Sequence, residues 1–312
     1  MNKVFIEKLV SINEFSLNYY IADISIGLEN NLWVLLQKKK TPTSDPKYDY
    51  RNLEDSYILY SIKNGVMEKY FAIENYKVDF HFVREIDQEQ ILLASARCQY
   101  FSESNIEKNA IIFSKSGVVK NTLTLGDGIQ DIKVSKNKEL WTSYFDEGVF
   151  GNYGWEVPLG QSGLRCWTLN GDTVYDYESV DYDHSISDCY AMNIDSQENV
   201  WFYFYTEFYL GKYSNGTLNY YSIDVGGASV LAIDNQWLVT DAGYSNRNLL
   251  LLHEIRNDRV IKTCEFELLD RITGESLEIS NVQFFKDIIA FISQQNVYMI
   301  NVRELKTELN DI

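Results

Sequence analysis

The sequence predicts an all-β chain folded as a β-propeller. A short apolar strand, a tight turn and a second strand recur about six times across 312 residues, at a period near fifty. Each unit then continues into a second strand pair separated by a Gly- or Asn-marked turn, and the two marker series stay in phase. A repeating four-stranded unit has two faces to cover, and radial stacking covers both.

The elements follow in order. Val4-Phe5-Ile6 to Ile12 has no hairpin partner before Ala22 and is expected to close the last unit as its outer strand. The clearest inner pairs are Ala22-Asp23-Ile24-Ser25-Ile26 with Asn31-Leu32-Trp33-Val34, Gln130-Asp131-Ile132-Lys133-Val134 with Glu139-Leu140-Trp141-Thr142, and Ala191-Met192-Asn193-Ile194 with Asn199-Val200-Trp201-Phe202. In each, an apolar residue precedes the Trp by nine positions. Looser copies start at Asp79, Val230 and Ile279. Their apolar–polar alternation is the signal of a half-buried strand. Turn tokens stand at Asn64-Gly65, Ser116-Gly117, Asn170-Gly171, Asn215-Gly216 and Asn257-Asp258, with a degenerate copy near Arg303-Glu304. Asn and Gly accept the positive φ that two-residue hairpins need. Six four-stranded blades, closed with help from the N-terminal strand, account for residues 1–312 as one domain. Seven blades is the alternative, with the N-terminal segment as a decayed extra repeat.

The net charge of −17 sets Asp and Glu against fewer Lys and Arg. It disfavours nucleic acid, whose phosphates it repels, and an acidic membrane surface. A cationic ligand, a divalent metal or a basic protein suits it better; the plainer reading is solubility alone. No apolar run approaches the 18 residues of a membrane span. The first residues lack the apolar core of a signal peptide. Four cysteines without CxxC spacing read as reduced thiols. These features together predict a cytoplasmic protein.

With strands lettered A to D in each unit, the A–B and C–D turns are short. The B–C connections are long at 37–55, 96–108, 144–163 and 241–248. Long loops on a rigid scaffold carry binding, so the B–C/D–A face is the expected working face. Within the first of them, Lys38-Lys39-Lys40 and the run to Pro46 read as a flexible loop. The richest segment is Tyr144-Phe145-Asp146-Glu147-Gly148-Val149-Phe150-Gly151-Asn152-Tyr153-Gly154-Trp155. Tyr144, Asp146, Glu147, Asn152, Tyr153 and Trp155 are its candidate ligand-binding residues, as an aromatic wall with carboxylates for a cation, a sugar or another polar small molecule. The structural alternative is a loop whose aromatics plug the channel or pack on a neighbouring unit. Asp127, Asp131 and Asp188 are candidate oxygen ligands for Ca²⁺ or Mg²⁺, although no EF-hand spacing is present. The acidic stretch 176–188 reads equally as a solvated loop.

Catalytic signatures are few. His81 and His253 fall in predicted strands and read as packed; His184 alone lies in a loop of the working face. No G-x-S-x-G, H-E-x-x-H or P-loop occurs. Residues 126–155, Asp188-Cys189-Tyr190-Ala191 and 201–206 resemble segments of uncharacterised bacterial proteins of propeller fold. The resemblance covers mainly the central third and implies a fold and a bacterial origin without an activity.

The favoured expectation is therefore a non-enzymatic binding module for a small polar or cationic ligand or a protein partner. The alternative is a divalent-metal-dependent hydrolase or lyase with Asp127, Asp131, Asp146, Glu147 and Asp188 near the axis.

Overall fold

The computed structural model describes residues 2–15, 17–39 and 55–308. The run of lysines at 38–40 and the loop to Pro46 lie largely outside the described residues. The chain is an all-β propeller of antiparallel meanders. The first sheet runs from the inner strand Tyr19–Ile26 through Leu32–Lys38 and Asp55–Lys63 to Val66–Tyr76. The second comprises Phe82–Glu85, Gln90–Ala94, Ala110–Ser114 and Val119–Leu123; the third, Ile129–Val134, Leu140–Tyr144, Leu164–Trp167 and Thr173–Asp176.

The fourth meander (Asp188–Ile194, Val200–Tyr205, Tyr209–Ser214, Thr217–Ile223) shares one continuous sheet with the fifth (Ala232–Asp234, Trp237–Ala242, Asn246–Arg256, Arg259–Asp270). Two parallel pairings join them, Ser222 with Arg259 and Ile223 with Val260. The last sheet holds Ser280–Phe285, Ile288–Ser293 and Asn296–Asn301, and its outer strand is the N-terminal Lys8–Ser11. The expected closing strand is thus present. The segment before it, Asn2–Ile6, runs parallel to the outer strand of the fifth meander, so the chain's start fastens two sheets.

Side-chain alternation builds the core between sheets rather than at one centre. Trp33 and Leu35 point to the second sheet, where they meet Val83, Ile91, Leu93 and Phe113. Their neighbours Leu32, Val34 and Leu36 point the other way and meet Ile288, Ala290, Ile292 and Val297 of the last sheet. This is the period-two geometry of a strand buried on both faces. The inner strands of the first four meanders contact one another in sequence, that of the fourth reaches Ser280–Phe285, and Ser280–Phe285 returns to touch Tyr19–Ile26.

All five Gly- or Asn-marked tokens fall in the turns between third and fourth strands, and at two of them both residues have positive φ: Asn64 and Gly65 at 52° and 74°, Asn215 and Gly216 at 47° and 82°. Arg303-Glu304 differs. It lies in a helix, Val302–Thr307, started by a capping box in which Asn301 accepts from the Glu304 backbone and the Glu304 side chain answers. The last sheet has no such turn, because its outer strand is supplied by the N-terminal segment; its tight turn at Gln294-Gln295, both with positive φ, joins its second and third strands instead.

Candidate functional site

The strand order sends the B–C and D–A connections to one end of the ring. Loop 96–108 carries a small hairpin, Tyr100–Ser102 with Asn105–Ile106. Loop 144–163 opens with a short helix, Asp146–Phe150. The fourth expected loop, 241–248, is mostly strand, with only a tight turn between Ala242 and Asn246.

The helix start rests against the D–A connection of its own sheet. A Cβ on Gly128 would lie 2.2 Å from the Gly148 nitrogen, so only glycine fits this crossing. Tyr144 is wholly buried, and its hydroxyl donates to the Leu125 carbonyl at 2.6 Å. Trp155 is buried too; its Nε1 donates to the Cys98 carbonyl at 2.7 Å, and its ring centroid lies 5.1 Å from that of Tyr100. The Tyr100 backbone and the Gln99 amide both donate to the Tyr153 carbonyl. The expected pocket walls Tyr144 and Trp155 therefore face inward. They stitch the third sheet's loop to the second sheet's loop.

Arg97 is the hub of this seam. Its guanidinium reaches Glu147 at 2.5 Å and Asp127 at 2.9 Å, the latter as a charge contact not aligned as a hydrogen bond. It also lies 4.2 Å from the Tyr153 ring centroid and 5.4 Å from that of Phe145. The Asn152 amide, then Arg97, holds the Glu147 carboxyl below its ordinary range. Burial pushes Asp127 upward despite Arg97. The only sequence signal for Arg97 was an arginine at the exit of a B strand facing an acidic loop.

Asp131 lies elsewhere, at the axis. Arg84 sits between Asp23 at 2.6 Å and Asp131 at 2.7 Å, and Lys133 reaches Asp131 at 2.9 Å. Lys133 also donates to the Phe284 carbonyl, and the Gln283 amide reaches Asp23. Inner strands of four sheets are thereby tied by one buried network. Burial alone would raise Asp131, but Lys133 and Arg84 outweigh it and hold its carboxyl low. At Asp23 burial wins over Arg84, and the carboxyl is pushed up to about 6.

Asp127, Asp131 and Asp188 thus do not converge on one cation, because Arg97 holds the first and Arg84 and Lys133 hold the second. Among the described residues no three His, Cys, Asp or Glu side chains gather as a metal set. Asp188 is half-buried; burial, with the Asp146 charge adding, pushes its carboxyl to about 6. Neither Asp146 nor Asp188 has an ion-pair partner among the described residues, in contrast to Asp127, Glu147, Asp176 and Asp241. The three histidines stand apart. His81 precedes an inner strand, His184 contacts Asp181 and stacks on Tyr220, and His253 is buried.

What this face leaves open is aromatic. Of nine exposed aromatic side chains among the described residues, Phe5 and Tyr70 lie elsewhere. The other seven, Tyr20 with Phe101, Phe150, Tyr153, Tyr182, Tyr205 and Tyr244, lie in the B–C and D–A connections or at the strand ends that feed them. Phe150 is 70% exposed and Tyr244 65%. Tyr244 is hydrogen-bonded to Tyr190, two residues from Asp188.

No family model and no curated protein matches the chain. Solved structures do. Virginiamycin B lyase from Staphylococcus aureus superposes with a TM-score of 0.51 at 12% identity, over 93% of this chain and 96% of that one. The PQQ-bound aldose sugar dehydrogenase from Streptomyces coelicolor gives 0.52 at 9% identity, over 96% and 97%. A chain of the mitotic checkpoint complex gives 0.52 at 10% identity, over 91% and 78%. At these identities the likeness shows the fold alone. No helix among the described residues is long and apolar enough to cross a membrane.

Proposed function

We propose that the chain is a non-enzymatic binding module, a propeller of six blades whose B–C/D–A face holds a protein partner rich in lysine and arginine. The six-blade count is supported by the meanders and by the N-terminal outer strand of the last one. The observation that carries the binding reading is the gathering of exposed aromatics on one face beside Asp146 and Asp188, two carboxylates without an ion-pair partner among the described residues. Aromatic anchors supply contact area at low entropic cost and attract guanidinium and ammonium groups over their rings. A net charge of −17 steers such a partner in. A small organic cation seated against Asp146 and Asp188 is the second reading, favoured by the charge coupling of that pair. The metal-dependent hydrolase reading finds less support, since Asp127, Asp131 and Glu147 are engaged by Arg97, Arg84 and Lys133, and Asp146 with Asp188 leaves only two of its five carboxylates without an ion pair among the described residues.

The test is binding of a fluorescent Lys/Arg-rich peptide and of its Glu-rich counterpart at increasing salt. The basic peptide binds, weakens with salt, and loses about tenfold on Tyr205→Ala with Tyr244→Ala. Equal binding of both peptides, or no effect of the two substitutions, would refute the reading.

A further inference from the structure

Three connections meet on the long-loop face at the seam between the fourth and fifth meanders. Residues 206–208 bring Phe208, residues 224–231 bring Gly226 and Gly227, and residues 243–245 bring Tyr244. Backbone contacts lock them together. The Tyr244 nitrogen donates to the Gly226 carbonyl at 3.0 Å, and a Cβ on Gly243 would lie 2.1 Å from that same carbonyl oxygen. The buried Tyr203 hydroxyl donates to the Val225 carbonyl and accepts from the Gly227 nitrogen. The Tyr244 hydroxyl is held in turn by that of Tyr190.

The Phe208 and Tyr244 rings stand at 78° to each other, with centroids 6.1 Å apart. Gly226 lies in the corner between them. A Cβ there would be 3.6 Å from Tyr244 Cδ2 and 3.7 Å from Phe208 Cε2, with nothing nearer outside its chain neighbours. One point therefore touches both rings at ordinary van der Waals distance, and the chain puts no side chain there. Gly226 and Tyr244 are exposed and Phe208 is partly so, which opens the corner to solvent. The Gly226 backbone lies outside the left-handed region, so its conformation does not demand glycine. Phe208 holds a φ of 57°, which a bulky residue adopts only at a cost, and such strain gathers at binding sites. The rim is acidic: Glu207, next to Phe208, and Asp224, two residues before Gly226, are exposed carboxylates.

We propose that this corner takes a methylated ammonium group, the side-chain end of an N-methylated lysine on the basic partner. The inference rests on the reading of this face as the seat of such a partner. A plain ammonium carries three N–H donors and loses their hydration on entering a site without free acceptors. The groups at the corner are already engaged: the Tyr244 hydroxyl with Tyr190, the Val225 carbonyl with Tyr203 and the Gly226 carbonyl with the Tyr244 nitrogen. Full methylation removes the donors and adds apolar surface. It keeps the charge that aromatic rings and the acidic rim attract.

The experiment compares two fluorescent Lys/Arg-rich peptides on the intact protein, identical except that one carries a single trimethyllysine. Their charges are equal, so the ratio of their affinities isolates the methyl groups. The methylated peptide is expected to bind about fivefold tighter. Gly226→Ala, whose Cβ meets both rings without displacing them, should bring the ratio close to one at an unchanged melting temperature. Tyr244→Leu, which keeps an apolar side chain at an exposed position and removes the ring, should do the same. Equal or weaker binding of the methylated peptide, or a preference that survives either substitution, would overturn this inference and leave the basic-partner reading standing. Binding of neither peptide would overturn both.

Discussion

Trp155 shows how a residue can be singled out by type and misjudged by direction. The sequence marks 144–155 as dense in aromatics, yet an irregular loop has no period from which inward and outward can be read. The structure turns Tyr144 and Trp155 inward and leaves Phe150 and Tyr153 outside. Trp155→Ala should therefore cost about 3 kcal/mol, the usual range for emptying a buried Trp site, with the loss of the Cys98 hydrogen bond included. Chemical denaturation measures it; a change below 1 kcal/mol would return Trp155 to the pocket wall. Asp188 gives a pH prediction. Its folded pKa of about 6 lies above the ordinary 3.8, so its stabilising contribution is complete below about 3.8 and is lost as pH rises through about 6. Asp188→Asn should raise the melting temperature above pH 6 and leave it nearly unchanged in acid. The same rise at both pH values would show that the charge of Asp188 is not the cause.

At the scale of elements, the strands were legible because both faces of each sheet are buried and the pattern repeats. The turn tokens were legible where two adjacent residues needed positive φ, as at Asn64-Gly65 and Asn215-Gly216. Arg303-Glu304 was misread because its neighbour Asn301 serves as a helix cap rather than a hairpin corner. The N-terminal segment was placed correctly as an outer strand, but its first half, Asn2–Ile6, gave no hint of its parallel partner. Alternation shows that a strand exists and leaves its neighbour open. Removing residues 2–12 should lower the melting temperature steeply, because two sheets lose an outer strand and Ile12 leaves a buried cluster. An unchanged melt would mean that the ring closes without it.

At the scale of the molecule, the axis and the long-loop face have different roles. The axis is filled by Asp23, Arg84, Asp131 and Lys133, tied by charge and by hydrogen bonds to backbone carbonyls of Ile132 and Phe284. Breaking a buried ion pair by removing one partner leaves an uncompensated charge and costs about 3–5 kcal/mol. Arg84→Ala should cost about this much in denaturant unfolding, since it strands Asp23 and leaves Asp131 with Lys133 alone; a loss under 1 kcal/mol would show that the axis admits water and is open. This network could not be read from the sequence, where Asp23, Arg84 and Asp131 are separated by roughly one repeat each and carry no motif. It exists only once the inner strands are brought round the ring.

On the long-loop face, exposed aromatics beside Asp146 and Asp188, which have no ion-pair partner among the described residues, are proposed to receive a basic partner. Hydrogen exchange of the whole protein with and without a saturating Lys/Arg-rich peptide tests it most directly. Protection is expected to be confined to the B–C and D–A connections, above all around Asp146–Phe150, Asp188 and Tyr244. Protection on the A–B and C–D turns instead, or none at saturation, would contradict it.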